Sequence, residues 1–132
     1  MSRFRILSID GGGIKGVFPA AFLASIEETL GGMPVSSFFD LIAGTSTGGI
    51  IALALGLGLR ANEVLEFYIR YGPSIFPRTS PWWVLRPTKY DAEPLRTALG
   101  EIFGSRLLGA SKYRLLIPSF NATTGRIHIF KT

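Results

Sequence analysis

The stretch Phe38-Phe39-Asp40-Leu41-Ile42-Ala43-Gly44-Thr45-Ser46-Thr47-Gly48-Gly49-Ile50 decides the fold. Its first half is a short apolar run that reads as a strand and runs into Gly44. From Thr47 to about Leu57 apolar residues fall on every side of a helical wheel, so a deeply buried helix is expected there. Between them stands Gly44-Thr45-Ser46-Thr47-Gly48, a Gly-x-Ser-x-Gly pattern. A nucleophilic serine on a sharp strand-to-helix turn holds its backbone in a strained conformation. The residues two before and two after it must be glycine, or side chains would collide where strand and helix close together. A helix starting just after Ser46 also places partial positive charge beside it, favouring an alkoxide or oxyanion. The plainer alternative, a small-residue turn packed on the core, does not explain why the pattern falls on this junction.

The segment Leu41 to Leu59 carries no charge and is long enough to cross a bilayer. Its five glycines, at 44, 48, 49, 56 and 58, and the Thr45-Ser46-Thr47 triplet favour a strand, a turn and a short helix over one span. At the N-terminus, Ile6-Leu7-Ser8-Ile9 stops at Asp10 and is too short for a signal-peptide core.

Working outward, Phe4 to Ile9 reads as a buried strand ending at Asp10-Gly11-Gly12-Gly13-Ile14-Lys15-Gly16. A helix should follow, with Phe18, Phe22, Ile26 and Leu30 at four-residue spacing as its apolar face. Pro19 is tolerated only in a first turn, so this helix begins near Gly16 or Val17, and Gly31-Gly32 ends it. A third helix is expected over 62–71 with Asn62 as cap. An irregular stretch follows over 72–88, containing Pro73, Pro77, Pro81 and Pro87. Asp91 caps a further helix with apolar residues Leu95, Ala98, Leu99, Ile102 and Phe103. Tyr113 to Phe120 and Arg126 to Phe130 read as strands, with Thr124-Gly125 in the turn between them. This alternation predicts a three-layer α/β/α arrangement with a largely parallel central sheet and Ser46 at the carboxyl end of a central strand. The last strand has no helix after it to cover it, so residues 1–132 are read as the N-terminal portion of a longer domain.

Gly11 to Gly16 let the main chain approach a bound group and aim N–H donors at it. Such a loop could cradle a phosphate or form an oxyanion hole. Gly11, Gly13 and Gly16 satisfy G-x-G-x-x-G, which in dinucleotide sites is followed by an acid at the end of the next strand. Glu27 and Glu28 lie within the helix and Asp40 lies at the start of the second strand, so no acid stands where a ribose would need it. Lys15 opposes the helix dipole, which reads either as a local misfit of the kind found at working sites or as a solvated lysine on a loop. Asp10 suits a helix start and is read as a brace for the glycine loop.

Composition narrows the chemistry further. There is no cysteine and one histidine, which excludes thiol nucleophiles, disulfides and multi-histidine metal sites; no metal or organic cofactor is implied. Fourteen Lys and Arg against nine Asp and Glu give a net charge of +5, spread without a block or a nucleic-acid motif. The irregular segment interleaves Trp82 and Trp83 with Arg78, Arg86 and Lys89. It could touch a lipid interface, or its aromatics could pack on the core. A cytoplasmic location is the expectation, with peripheral membrane association left open.

Two motifs in this order, Asp10 to Gly16 and then Gly44 to Gly48 within Phe39 to Gly49, resemble the patatin-like phospholipase family. The resemblance continues through Tyr90-Asp91-Ala92-Glu93-Pro94-Leu95 and Phe120-Asn121-Ala122-Thr123-Thr124-Gly125, so it spans nearly the whole chain. It implies a lipid acyl hydrolase with a Ser–Asp dyad and no catalytic histidine. Ser46 would be the nucleophile. Gly11, Gly12 and Gly13 would form the oxyanion hole, with Lys15 matching the basic position beside it and Gly16 closing the loop. The resemblance places the dyad aspartate in an Asp-Gly-Gly or Asp-Gly-Ala motif downstream of this chain. Of the aspartates present, Asp10 belongs to the glycine loop, Asp40 precedes the second strand and Asp91 is a cap. His128, in an alternating strand, reads as an ordinary sheet residue. Two other readings remain: a lipid-binding or interaction module without catalysis, and a nucleotide-binding domain using Gly11 to Gly16.

Overall fold

The computed structural model describes residues 3–77 and 91–132. Strand β1 (Ile6–Ile9) leads through a 3-10 turn at Gly13–Gly16 into helix α1 (Val17–Thr29). Strand β2 (Leu41–Gly44) leads into α2 (Thr47–Gly56), followed by α3 (Ala61–Ile75) and α4 (Ala92–Phe103). The hairpin β3 (Arg114–Asn121) and β4 (Arg126–Lys131) completes the chain. The sheet order is β1-β2-β3-β4, with the first three strands parallel and β4 antiparallel to β3. The fold is therefore α/β with a mostly parallel sheet, and β2 is an inner strand as expected.

Right-handed crossovers between strands added in one direction put their helices on one face of a sheet. The burial agrees with this. Ile9, Ile42 and Leu115 lie under α2, and the paired residues facing the other way include Ile6, which is 54% exposed. Two of the three expected layers are thus made by the described residues. Eight of the ten residues of α2 are buried, as its uniform apolarity requires. The uncharged stretch 41–59 divides into β2, a turn and α2, and no described helix is long and apolar enough to cross a membrane.

Other boundaries shift for local reasons. Phe38 ends a 3-10 turn (Val35–Phe38) rather than opening the strand. Asp40 instead aligns β1 with β2. Its carboxylate accepts from the Arg5 N–H at 2.7 Å, while its own N–H donates to the Arg5 carbonyl at 2.8 Å. Helix α3 begins one residue before Asn62, with the Glu63 carboxylate accepting from the Arg60 N–H at 2.6 Å in place of an Asn62 cap. It also continues past Tyr71 to Ile75 with Pro73 in its last turn. Asp91 does cap α4, accepting from the Glu93 N–H at 3.1 Å.

The larger correction concerns α1. Its buried positions are Ala20, Leu23 and Glu27, against α3, and Phe18 and Phe22 are 75% and 59% exposed. The true stripe was hidden because one of its members is an acid. Glu27 is 4% exposed and fully engaged: Oε1 accepts from the Val35 N–H at 2.9 Å, and Oε2 from the Ala61 N–H at 3.0 Å and Arg60 Nε at 3.1 Å. Arg60 also donates to the Gly32 carbonyl, within the Gly31-Gly32 turn that closes α1. Glu27 thereby ties α1 to the turn before β2 and to the first turn of α3. Removing the carboxylate would leave two main-chain donors and a guanidinium without their acceptor. Urea unfolding should show Glu27→Ala destabilised by about 3 kcal/mol, and Glu27→Gln, which keeps one acceptor oxygen, by clearly less.

Candidate active site

Ser46 stands between β2 and α2 with φ 53° and ψ −123°, the one non-glycine residue with positive φ among the described residues. For a residue with a Cβ such a conformation costs of order 1–3 kcal/mol and persists only where its surroundings impose it. Here they do. A Cβ placed on Gly44 would lie 2.2 Å from the Gly48 carbonyl oxygen, and one on Gly48 would lie 2.2 Å from the Ile9 carbonyl oxygen. The ends of β1 and β2 and the start of α2 are in bare main-chain contact. The chain must turn from strand to helix within two residues, and Ser46 takes the strain.

Leaving β1, the glycine loop passes directly over the turn. A Cβ on Gly11 would come within 2.7 Å of Ser46 Cβ and 3.4 Å of Ser46 Oγ. The two residues flanking Ser46 secure this approach. Thr45 Oγ1 accepts from the Gly11 N–H at 3.2 Å, and Thr47 Oγ1 accepts from the Gly12 N–H at 3.1 Å. The sequence offered these threonines only as members of the turn; their spacing to Gly11 and Gly12 becomes visible when β1 pairs with β2. Asp10, expected to brace the loop, is exposed and makes no hydrogen bond to a described residue, so the bracing falls to Thr45 and Thr47. Those two loop donors are thereby engaged within the protein.

Tyr68 of α3 closes the site from below. It is 2% exposed, donates to the Thr47 carbonyl at 2.9 Å, and lies so close to Gly16 that a Cβ there would meet its ring at 2.8 Å. Burial pushes its phenol up to about 12, partly offset by the bond to Thr47, so it stays a donor at ordinary pH. Nothing in the sequence distinguished Tyr68 from a core aromatic.

Ser46 is exposed, and its Oγ has no hydrogen bond to a described carboxylate or imidazole. Asp40 lies at the opposite end of β2, and Asp91 serves α4. His128, opposite Ser119 on β4 and edge-on to Phe130 at 4.6 Å, is two strands from β2, about 10 Å across the sheet. Lys15 is exposed beside the loop and forms no ion pair among the described residues. A groove of about 410 Å³ runs from Gly12 and Lys15 along Leu7, Ile9, Phe18 and Phe22. No group of three His, Asp or Glu that could hold a metal occurs among the described residues. Trp82 and Trp83 lie outside the described residues.

Residues 7–132 match the family model of the patatin-like phospholipases. The chain belongs to that family. It is 38% identical over 135 residues to a cGAMP-activated phospholipase of Pseudomonas aeruginosa, covering 98% of this chain and 40% of that protein. It is 34% identical over 147 residues to patatin-like protein 2 of Oryza sativa, covering 95% and 36%. Among solved structures, the type III effector ExoU aligns at 13% identity with a TM-score of 0.48, over 99% of this chain and 36% of that one. The chain thus spans about 40% of the length of the first of these patatin-like relatives.

Two consequences can be measured. Ser46→Gly should be more stable than Ser46→Ala by about 1 kcal/mol in chemical unfolding, because only glycine relieves the positive φ. Tyr68 has a folded-state value above that of a free tyrosine, so its stabilisation is full below pH 10 and is lost as pH rises through 12. Wild type should lose about 2 kcal/mol more than Tyr68→Phe between pH 9 and pH 12.

Proposed function

We propose that residues 1–132 form the nucleophile-bearing, N-terminal portion of a patatin-like domain that hydrolyses carboxylic esters of lipids. The observation that carries this reading is the strained Ser46 at the head of α2 with the glycine loop held against it by Thr45 and Thr47. Ser46 Oγ attacks the ester carbonyl carbon and gives its proton to a base. The carbonyl oxygen becomes an oxyanion and takes hydrogen bonds from the Gly13 N–H, the loop donor that neither Thr45 nor Thr47 engages, and from the head of α2. The tetrahedral intermediate collapses, the carbon–oxygen bond to the alcohol breaks and the alcohol leaves with the proton. Water then attacks the acyl-enzyme, and the fatty acid departs. Lys15 adds positive potential beside the developing charge. The groove lined by Phe18 and Phe22 offers apolar surface for an acyl chain.

The base is the aspartate of a Ser–Asp dyad, which the family resemblance puts outside these residues. This chain alone is therefore a poor esterase. We place the protein in the cytoplasm, acting at a lipid surface, with Trp82 and Trp83 as its contact. No nucleic acid, metal or cofactor takes part. One observation favours a second reading, a lipid-binding module without catalysis: Ser46 Oγ lacks a basic partner among the described residues.

Hydrolysis of a short-chain nitrophenyl ester separates the two. The assay compares this chain, the longest natural form that contains it, and Ser46→Ala in that form. Turnover in the longer form that falls at least about a thousandfold in Ser46→Ala supports the acyl hydrolase. An inactive long form supports the binding module. Ser46-dependent turnover by the 132-residue chain overturns the assignment of the base.

A further inference from the structure

Helix α3 does more than cover the core. Tyr68, Gly72 and Phe76 follow at intervals of four along its second half and its C-terminal cap, which puts them on one face. All three meet the glycine turn. The Tyr68 ring lies against Gly16, a Cβ on Gly72 would strike Ile14 Cδ1 at 2.5 Å, and one on Gly13 would rest 3.6 Å from the Phe76 ring. Each residue of the face therefore supports one point of the turn between Gly13 and Gly16. Gly72 is small where the Ile14 side chain needs room, and the two aromatics stand on either side of it.

Tyr68 also reaches the other half of the site, through its hydroxyl on the Thr47 carbonyl at 2.9 Å. Thr47 directly follows Ser46, and its own hydroxyl accepts from the Gly12 N–H. Besides the bond from Gly11 to Thr45, two paths join loop and serine turn, and these two meet in Thr47. One is Gly12 to Thr47 Oγ1. The other is Gly16 to the Tyr68 ring to the Thr47 carbonyl. A single bond would fix a distance; two at separate points also fix an angle.

We propose that Tyr68 is a positioning residue of the ester-hydrolysing site, setting the spacing and tilt of the glycine loop relative to Ser46. This rests on the acyl-hydrolase reading. Tyr68 touches neither substrate nor the reacting atoms. Its effect is on whether the Gly13 N–H stands where the oxyanion forms, and displacement of about 1 Å at such a site costs on the order of a hundredfold in rate. The ground-state ester carbonyl is less sensitive to that placement than the oxyanion is, so the loss belongs in kcat.

The test uses the longest natural form containing this chain, with nitrophenyl butyrate as substrate. Tyr68→Phe keeps the ring on Gly16 and removes only the hydroxyl. It is expected to lower kcat by tenfold or more with KM within about twofold of wild type. Val64→Ala, one turn earlier on α3 and also buried at 1% exposure, truncates the same helix away from the loop. It lowers the melting temperature at least as much as Tyr68→Phe but keeps wild-type kcat when both are assayed well below their melting temperatures. Equal kcat in wild type and Tyr68→Phe overturns the positioning role and leaves the hydrolase intact. A kcat loss in Val64→Ala that matches that in Tyr68→Phe also overturns it, because general loosening of α3 would then suffice. A wild type without Ser46-dependent turnover overturns the acyl-hydrolase reading itself, and the role of Tyr68 with it.

Discussion

Main-chain contact between the end of β1, the end of β2 and the head of α2 is the constraint on which the site depends. The carbonyl of Ile9 occupies the space that a side chain on Gly48 would need, and the carbonyl of Gly48 occupies the space of a side chain on Gly44. Three pieces of backbone at this separation leave one short path from strand to helix, and that path puts positive φ on Ser46. The same closeness brings the loop after β1 over the serine, because β1 is paired with β2 through Ile9 opposite Gly44. Strain at the serine and proximity of the glycine loop are thus two results of one packing arrangement. Thr45 and Thr47 then convert proximity into register, since their hydroxyls take up loop N–H groups that would otherwise lack acceptors.

Burial gives the arrangement its electrostatic character. Helix α2 is enclosed along its sides, yet Ser46 at its head is exposed. The dipole of such a helix is little screened along its length, and its positive end opens to solvent where the serine stands. Lys15, which disfavours the start of α1, is an exposed cation in the glycine loop. On the proposed reading, an oxyanion at Ser46 would meet the helix head without a buried ionised side chain. A buried charge of that kind does exist in the fold, at Glu27, but it serves structure. Three donors surround it, and it lies in the contact between α1 and α3.

What could be read before the structure, and what could not, follows from the range of the interactions. The serine turn, the glycine loop, the Asp91 cap and the hairpin turn at Gly125 are each specified within a few residues. Local sterics and capping make them legible from sequence. The face of α1 was not, because two stripes satisfy helical spacing and the buried one ends in Glu27, whose partners are eight and more than thirty residues away. The start of α3 went to Asn62 on propensity, whereas Glu63 reaching back to Arg60 supplies the same satisfaction by another route. Thr45, Thr47 and Tyr68 looked like a turn and a core aromatic, since their functions exist only after β1 pairs with β2 and α3 packs beneath them.

That division has a consequence for how the site tolerates change. The locally specified parts are held by steric exclusion: a side chain on Gly44 or Gly48 has nowhere to go. The long-range parts are held by single hydrogen bonds, each worth about 1 kcal/mol. A protein stable by several kcal/mol survives the loss of any one of them with its fold intact. Precision at Ser46 is less forgiving, because Gly12 and Tyr68 both act through Thr47 and a shift at that residue moves the loop and the serine together. Glu27 and the buried apolar residues of α2 carry the fold, Thr45 and Thr47 join the loop to the serine turn, and Tyr68 belongs to both sets, buried in the core and bonded to Thr47.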